Sequence, residues 1–188
     1  MNWLNTIAIL LVAFLTVFLE SHYYGLRNLL GVQIDFLPAL VVYTSLSANV
    51  PTVGLVVTLG GLWFDSLSAN PLAVSVLPLF VIGLIIHYCR ESILREQRYA
   101  QFMLGLAASA AAPLFTVLSL LGLGAEPLLS WWSLWQWLVM AAVGAASTPI
   151  FFFLFDRLNR AFSYQPLPET SFRPDREIKR GRLPHADN

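Results

Sequence analysis

The sequence predicts an all-α polytopic membrane protein with about six transmembrane helices. Apolar residues make up 57% of the 188 residues and charged residues only 12%, whereas soluble domains carry about 25% charged residues. The apolar residues stand in long runs that are nearly free of charge, as membrane-spanning helices require. Strands of a transmembrane barrel would alternate apolar and polar residues over about ten positions, and the runs do not alternate in this way.

The first span is predicted from about Trp3 to Leu19. A cleaved signal peptide would have a basic segment before its apolar run and a small-x-small motif after it. Neither feature is present here, so we expect this run to remain as an uncleaved first span. A polar, turn-rich connection follows it and extends to Asp35.

The next run, residues 36–64, contains no charge over 29 positions. One helix of that length would measure about 43 Å, whereas the hydrocarbon core is about 30 Å thick. Ser-Ala-Asn-Val-Pro in the middle of the run favours a turn, because the residue before a proline resists helix. The run therefore predicts a tight hairpin, with span two at about Leu30 to Ser47 and span three at about Pro51 to Asp65.

Span four is predicted from about Pro71 to Tyr88. Asn70 would be its N-cap, and Pro71 suits the first helical position. The charged segment Cys89 to Gln101 is expected to extend this helix into water by a turn or two.

Span five is predicted at about Phe102 to Gly124 and span six at about Ser130 to Phe155. Tryptophans crowd the start of span six, where they indicate a belt at the membrane surface. Residues 1–160 thus form one six-span domain, and the polar, proline-rich residues 161–188 predict a mostly disordered tail. Four prolines would lie inside spans, either as bundle-shaping kinks or as breaks that build a mid-membrane site: Pro38, Pro78, Pro113 and Pro149.

The basic residues are distributed asymmetrically. Ten of the eleven follow span four or span six, and these two places share one side of the membrane. By the positive-inside rule that side is cytoplasmic, so both termini are predicted to be cytoplasmic. The opposite side collects acids: Glu20, Asp35, Asp65 and Glu126.

The sequence offers no motif for catalysis or for a cofactor. A nucleophile elbow, a metalloprotease helix and a phosphate-binding loop are all missing. Cys89 is the single cysteine, and the three histidines are far apart in the sequence. We therefore expect no catalytic residues, no metal, no cofactor and no nucleic-acid partner.

Asp65 is the most specific candidate residue. It ends a charge-free run after Gly61, and Ser68 and Pro71 follow it. Ionisable groups at membrane depth are costly and tend to mark function, so Asp65 could bind a partner or a solute. A turn residue that caps backbone groups at the corner between spans three and four explains the same pattern. The sequence leaves both interpretations open.

Small residues recur at spacings of about four in three spans. Gly54 lies in span three, Gly105 and Ser109 in span five, and Gly144 in span six. Such faces let helices approach closely. They predict packing within this chain, although a helix from a partner could use them as well.

Several of these residues belong to one longer pattern, which runs Asp35, Val42-Tyr43, Pro51, Gly54, Gly61-Leu62, Asp65, Leu67-Ser68 and Pro71-Leu72. The pattern resembles the middle of the rod shape-determining protein MreD family, which has an acid, apolar-Tyr, Pro-x-x-Gly, Gly-Leu-x-x-Asp, Leu-Ser and Pro-Leu in the same order. It covers about forty residues. Ala69-Asn70 and Ala73 depart from it, since the family often has glycine there.

The resemblance implies a non-enzymatic subunit of the cell-elongation machinery in the inner membrane of a rod-shaped bacterium. Its implied partners are an MreC-like bitopic protein, an MreB-like filament, and the glycosyltransferase and transpeptidase that build lateral peptidoglycan. The family's fold is similar to that of the substrate-binding subunits of energy-coupling-factor vitamin transporters. A membrane subunit that binds a small molecule is therefore the alternative function.

Overall fold

The computed structural model describes residues 3–22, 31–32, 34–68, 71–92, 97–124 and 131–162. Within these ranges the chain forms helices and no strands, as the sequence predicts. A short 3-10 turn, Arg90–Ser92, follows the fourth of the α-helices. The α-helices of the described ranges are α1 (Trp3–His22), α2 (Leu37–Ser47), α3 (Val50–Leu67), α4 (Val76–Cys89), α5 (Arg98–Gly122) and α6 (Trp131–Phe162).

Four helices in the described part of the chain are long and apolar enough to cross a membrane, namely Asn5–His22, Val50–Leu67, Arg98–Gly122 and Trp131–Arg160. This composition is that of an α-helical membrane protein, the coarse class predicted above. The other two helices, α2 and α4, are apolar but shorter, with 11 and 14 residues.

The charge-free run 36–64 is divided into two helices, as its central turn motif predicts. α2 ends at Ser47 and α3 begins at Val50, with extended backbone at Ala48 and at Asn49 between them. Pro51 lies in the first turn of α3, where a missing N–H breaks no helical hydrogen bond. The start of α2 packs against the later part of α3, so the two helices form an antiparallel hairpin.

α2 is the central helix of the bundle and contacts each of the other five described helices. Ten of its eleven residues are buried. The segment carries no charge and has no polar face, which suits a helix enclosed on all sides. Its Tyr43 ring stacks on Phe155 of α6 at a centroid distance of 4.2 Å and meets Phe152 edge-on at 5.0 Å.

Helices that follow one another along the chain alternate in direction. The hydroxyl oxygens of Thr6 and Thr52 lie 3.3 Å apart, and the rings of Phe14 and Trp63 are 5.2 Å apart further along, so α1 and α3 run parallel. The starts of α2 and α4 pack near the end of α3. The ends of α1 and α3 and the starts of α2 and α4 therefore lie at one end of the bundle.

The predicted start of span four is wrong. Pro71 lies outside the helix, residues 72–75 form a turn, and α4 begins only at Val76. Ala73 has a φ of 71° within this turn. The chain uses these residues to reverse direction between α3 and α4, whereas the prediction assigned the Asn-Pro pair to the helix start. Asn70 itself lies outside the described residues.

The helical part of span two is shorter than predicted, because residues 34–36 are not helical and α2 begins at Leu37. Pro38 consequently occupies the first turn of α2, and Pro78 is the third residue of α4. Neither proline breaks a helix interior. Pro113 and Pro149 do lie inside their helices, α5 and α6.

α5 and α6 are in close contact through small residues. A Cβ atom on Gly105 would stand 2.1 Å from the Thr148 hydroxyl and 2.8 Å from the Gly144 carbonyl oxygen. A Cβ atom on Gly144 would stand 1.8 Å from the Ser109 hydroxyl. Gly105 is therefore opposite Thr148, Ser109 is opposite Gly144, and the two helices run antiparallel with their backbones almost in contact.

At Gly54 the structure differs from the predicted packing within the chain. An added Cβ atom at Gly54 would meet nothing within 4 Å, so no described helix approaches it closely. The close approaches on α3 are at Gly60, which faces Leu37, and at Gly61, which faces Val76. Gly54 and Gly61 are seven residues apart and so lie on nearly the same side of α3, but of these two only Gly61 is opposite a neighbouring helix. The spacing thus predicts a face of the helix and not the position along it at which a neighbour packs.

α6 extends beyond its predicted end at Phe155 and continues through Asp156, Arg157 and Arg160 to Phe162. The Arg157 guanidinium carbon lies 5.3 Å from the centre of the Phe153 ring, a cation–π contact one turn apart. Residues 163–188, where the sequence predicts a disordered tail, lie outside the described residues.

We predict that Gly105→Ala destabilises the protein by about 1–3 kcal/mol, because the new methyl group overlaps Thr148 and the Gly144 backbone. Reversible unfolding in mixed micelles, followed by tryptophan fluorescence, would measure this change. Gly54→Ala is the matched control and should be neutral or stabilising by up to about 1 kcal/mol, since alanine is the better helix former. Equal stability of the two variants would contradict the close α5–α6 contact.

Candidate functional site

Three acidic side chains lie together at one end of the bundle. Glu20 is near the end of α1, Asp35 immediately precedes α2, and Asp65 is near the end of α3. The alternating helix directions bring these three chain positions to the same level. They are three of the four acids that the charge pattern placed on one side of the membrane, and the fourth, Glu126, lies outside the described residues.

Each of these carboxylates accepts a hydrogen bond from the backbone at the start of a helix. Glu20 accepts from the Phe36 N–H, and Asp35 accepts from the Leu37 N–H at 2.8 Å. Asp65 accepts from the Ser75 N–H at 3.1 Å, immediately before α4. The first N–H groups of a helix have no partner within the helix and carry partial positive charge, so carboxylates are well suited to these positions.

Two of the three carboxylates have one oxygen without a hydrogen-bond partner. The second oxygen of Glu20 (Oε2) and that of Asp65 (Oδ1) are buried and make no hydrogen bond. Asp65 is only 1% exposed to solvent. Across the ranges that the structure describes, no Lys, Arg or His side chain pairs with these acids. Buried carboxylates normally have such partners, because an isolated buried charge is costly.

Asp35 lies in the connection before α2, between the other two acids. The carboxylates of Asp35 and Asp65 interact electrostatically. The charge of Asp35 in turn acts on Glu20. The three groups therefore form one electrostatic unit, which we call the acidic cluster (Glu20, Asp35 and Asp65).

A cleft of about 210 Å³ opens beside the acidic cluster. Asp35 and Ser75 contribute its polar side near the cluster, and Gln136 of α6 contributes an amide. Asp65 is adjacent to it, since Asp65 follows the lining residue Phe64 and bonds to the lining residue Ser75. The remaining lining residues are from α4, α5 and α6 and are mostly apolar: Leu79, Ala112, Pro113, Thr116, Val117 and Met140.

The acidic cluster does not have the geometry of a metal centre. Among the described residues, no group of three or more His, Cys, Asp or Glu side chains is arranged to hold a metal ion. Glu20 and Asp35 bond to backbone donors at the start of α2, Asp65 bonds to a donor just before α4, and the three carboxylates are not grouped around one point. The carboxylates can bind protons, or they can accept hydrogen bonds from an organic cation and form an ion pair with it.

The predicted corner residues all lie where α3 and α4 meet. Gly61 lets α4 approach, because a Cβ atom there would stand 2.9 Å from the Val76 side chain and 3.2 Å from its Cα. Ser68 closes α3: its N–H donates to the carbonyl oxygens of Phe64 and Asp65. Pro71 is exposed and begins the turn that leads to α4. Asp65 joins the two helices through Ser75.

Sequence reasoning did not identify Glu20 and Asp35 as neighbours of Asp65. Glu20 was predicted only as a charge on one side of the membrane, and Asp35 also as the first residue of the family-like pattern, although both stand at the boundary of an apolar run. It also did not predict the contact of His87, whose Nδ1 lies 3.0 Å from the buried Ser45 carbonyl oxygen. That contact joins the end of α4 to the end of α2, at the opposite end of the bundle.

No protein-family model, no curated protein and no solved structure matches the chain. The function is therefore inferred from the residue pattern and from the geometry described above.

Proposed function

We propose that the chain is a non-enzymatic scaffold subunit of the cell-elongation complex, which maintains cell shape and directs lateral peptidoglycan synthesis. The family pattern in the sequence is the first support. The second is the way in which the pattern's residues pack. Tyr43, Gly61 and Asp65 are spread along the sequence, yet each is buried at a contact between two helices.

The observation that supports this proposal most strongly is the corner between α3 and α4. Gly61 permits close contact with Val76, and Asp65, four residues later, holds the Ser75 backbone. The Gly-Leu-x-x-Asp motif thus supplies both the space and the acceptor that this corner requires. A chain that shares the motif would need the same spacing for the same physical reason.

We also propose that α2 and α4 cross the membrane, which gives six spans. The alternating helix directions support this, because six successive crossings produce the same alternation. Residues outside each short α-helix add to the length of its crossing. Residues 34–36 precede α2, and the turn at Arg90–Ser92 follows α4. With the basic residues cytoplasmic, both termini lie in the cytoplasm and the acidic cluster lies at the outer surface of the inner membrane.

The proposed partners follow from the resemblance. An MreC-like bitopic protein and the glycosyltransferase–transpeptidase pair would contact this chain within the membrane or at its outer end. An MreB-like filament would approach from the cytoplasm. Exposed apolar side chains on α1, such as Trp3, Ile7 and Leu11, provide a surface for lipid or for such helices.

A small-molecule carrier related to vitamin transporters is the second candidate function. The cleft beside the acidic cluster favours it, because a carrier needs a pocket. The cleft measures about 210 Å³, however, whereas pockets for small molecules are typically about 300–1,000 Å³. Tight binding of a vitamin to the purified protein would support this function instead, as would a transporter ATPase encoded by a neighbouring gene.

We predict that deleting the gene converts rod-shaped cells into round cells, since lateral wall synthesis would lose its scaffold. Light microscopy would measure cell width and length. The tagged protein should also copurify with an MreC-like protein from the same cells. A clean deletion that leaves cell shape unchanged would overturn the proposed function.

We predict that Asp65→Ala complements this deletion less well than Glu126→Ala. Removal of the Asp65 carboxylate leaves the buried Ser75 N–H without its acceptor, at a cost of about 1–3 kcal/mol. Cell shape and protein level, measured by immunoblot, would be compared for both variants. Full complementation by both would show that Asp65 is a turn residue without a further role in the complex.

A further inference from the structure

We propose that the acidic cluster and its cleft receive one basic side chain, an arginine or a lysine, from a partner membrane protein. This inference deepens the proposed function, on which it rests only for the existence of a partner. Three observations carry it: the uncompensated charge of the cluster, the lack of metal geometry, and the shape and chemistry of the cleft.

No positive charge among the described residues compensates the acidic cluster. Three carboxylates share one end of the bundle, and two of them have a buried oxygen without a hydrogen-bond partner. Asp65 is 1% exposed to solvent, and its Oδ1 has no hydrogen-bond partner among the described residues. A buried charge is stable only when it is paired and hydrogen-bonded. The orphan oxygen of Asp65 therefore indicates a donor that the isolated chain does not provide within its described residues.

The chemistry of the missing donor is that of an ammonium or a guanidinium group. The carboxylates are not arranged to hold a metal ion. An arginine or lysine side chain carries several N–H donors and a full positive charge. One such group can satisfy the free oxygen of Asp65 and also neutralise Asp35, which lines the cleft.

The cleft suits a side chain better than a free inorganic cation. Its walls are mostly apolar residues of α4, α5 and α6, and Asp35 lies on its polar side. Lysine and arginine combine an aliphatic stem with a charged end, and they bury the stem along apolar surface. The cleft volume of about 210 Å³ is smaller than that of most small-molecule pockets.

The site can be tested with n-butylguanidinium chloride, which reproduces an arginine side chain without its backbone. The full-length protein in lipid nanodiscs would be heated while tryptophan fluorescence is recorded. At about ten times its dissociation constant, the compound should raise the apparent Tm by about 3–6 °C. Asp65→Asn should remove this shift, and Asp35→Asn tests the same site if Asp65→Asn does not fold. Asp156→Asn, at the far end of α6, should keep the shift.

Several results would overturn the proposal. A lack of any shift would show that the cluster takes no cation. An equal shift with sodium chloride or plain guanidinium chloride would show that no aliphatic stem is recognised. Arg27 lies outside the described residues; a shift seen only in Arg27→Gln would identify the chain's own arginine as the occupant.

A second experiment tests the source of the basic group. If a partner supplies it, Asp65→Asn should reduce copurification of the MreC-like protein severalfold, and Asp156→Asn should not. Equal copurification by both variants would exclude that protein as the source and overturn the docking role. Cell shape after deletion reports the proposed function, whereas the Tm shift reports the site, so a failure of one is distinguishable from a failure of the other.

Discussion

The enclosure of α2 is the constraint on which the rest of the structure depends. An 11-residue helix contacts every other described helix, so any side chain on it must fit a neighbour. Such a helix cannot carry a charge, because burial on all sides leaves no solvated face. Its sequence, Leu-Pro-Ala-Leu-Val-Val-Tyr-Thr-Ser-Leu-Ser, satisfies this condition. The Thr44 hydroxyl donates a hydrogen bond to the Leu40 carbonyl oxygen within the helix.

The same enclosure determines where charge can be placed. Asp35 stands two residues before α2, where its carboxylate can satisfy the Leu37 N–H. Glu20 reaches the adjacent Phe36 N–H from α1. The acids therefore gather where helices begin, since the first N–H groups of a helix have no partner within the helix. The acidic cluster is a consequence of helix packing as much as of any function it serves.

Much of the fold could be predicted from the sequence, because long apolar runs and a central turn motif are local signals. The break at Ala48 and Asn49 follows from the Ser-Ala-Asn-Val-Pro motif. The burial of α2 does not follow from its lack of charge, because a charge-free helix equally suits contact with lipid. The start of α4 could not be predicted in the same way. Pro71 is compatible with a helix start, but the reversal of the chain between α3 and α4 needs the residues up to Ser75.

The candidate site could be predicted only in part. Charge asymmetry placed Glu20, Asp35 and Asp65 on one side, but their mutual contact depends on the parallel course of α1 and α3, which no local pattern encodes. Gly54 illustrates the same difficulty, because spacing identifies a face of α3 without identifying its neighbour. Gly105 and Gly144 are different, since adjacent antiparallel helices joined by a short connection usually pack together.

The length of α6 has a consequence for whatever follows it. A helix of 32 residues measures about 48 Å, which exceeds the hydrocarbon thickness of about 30 Å. The helix end at Phe162 therefore lies about 10 Å beyond Phe155 along the helix axis. The residues that follow are attached to the same helix whose Phe152 and Phe155 pack on Tyr43 of the central helix.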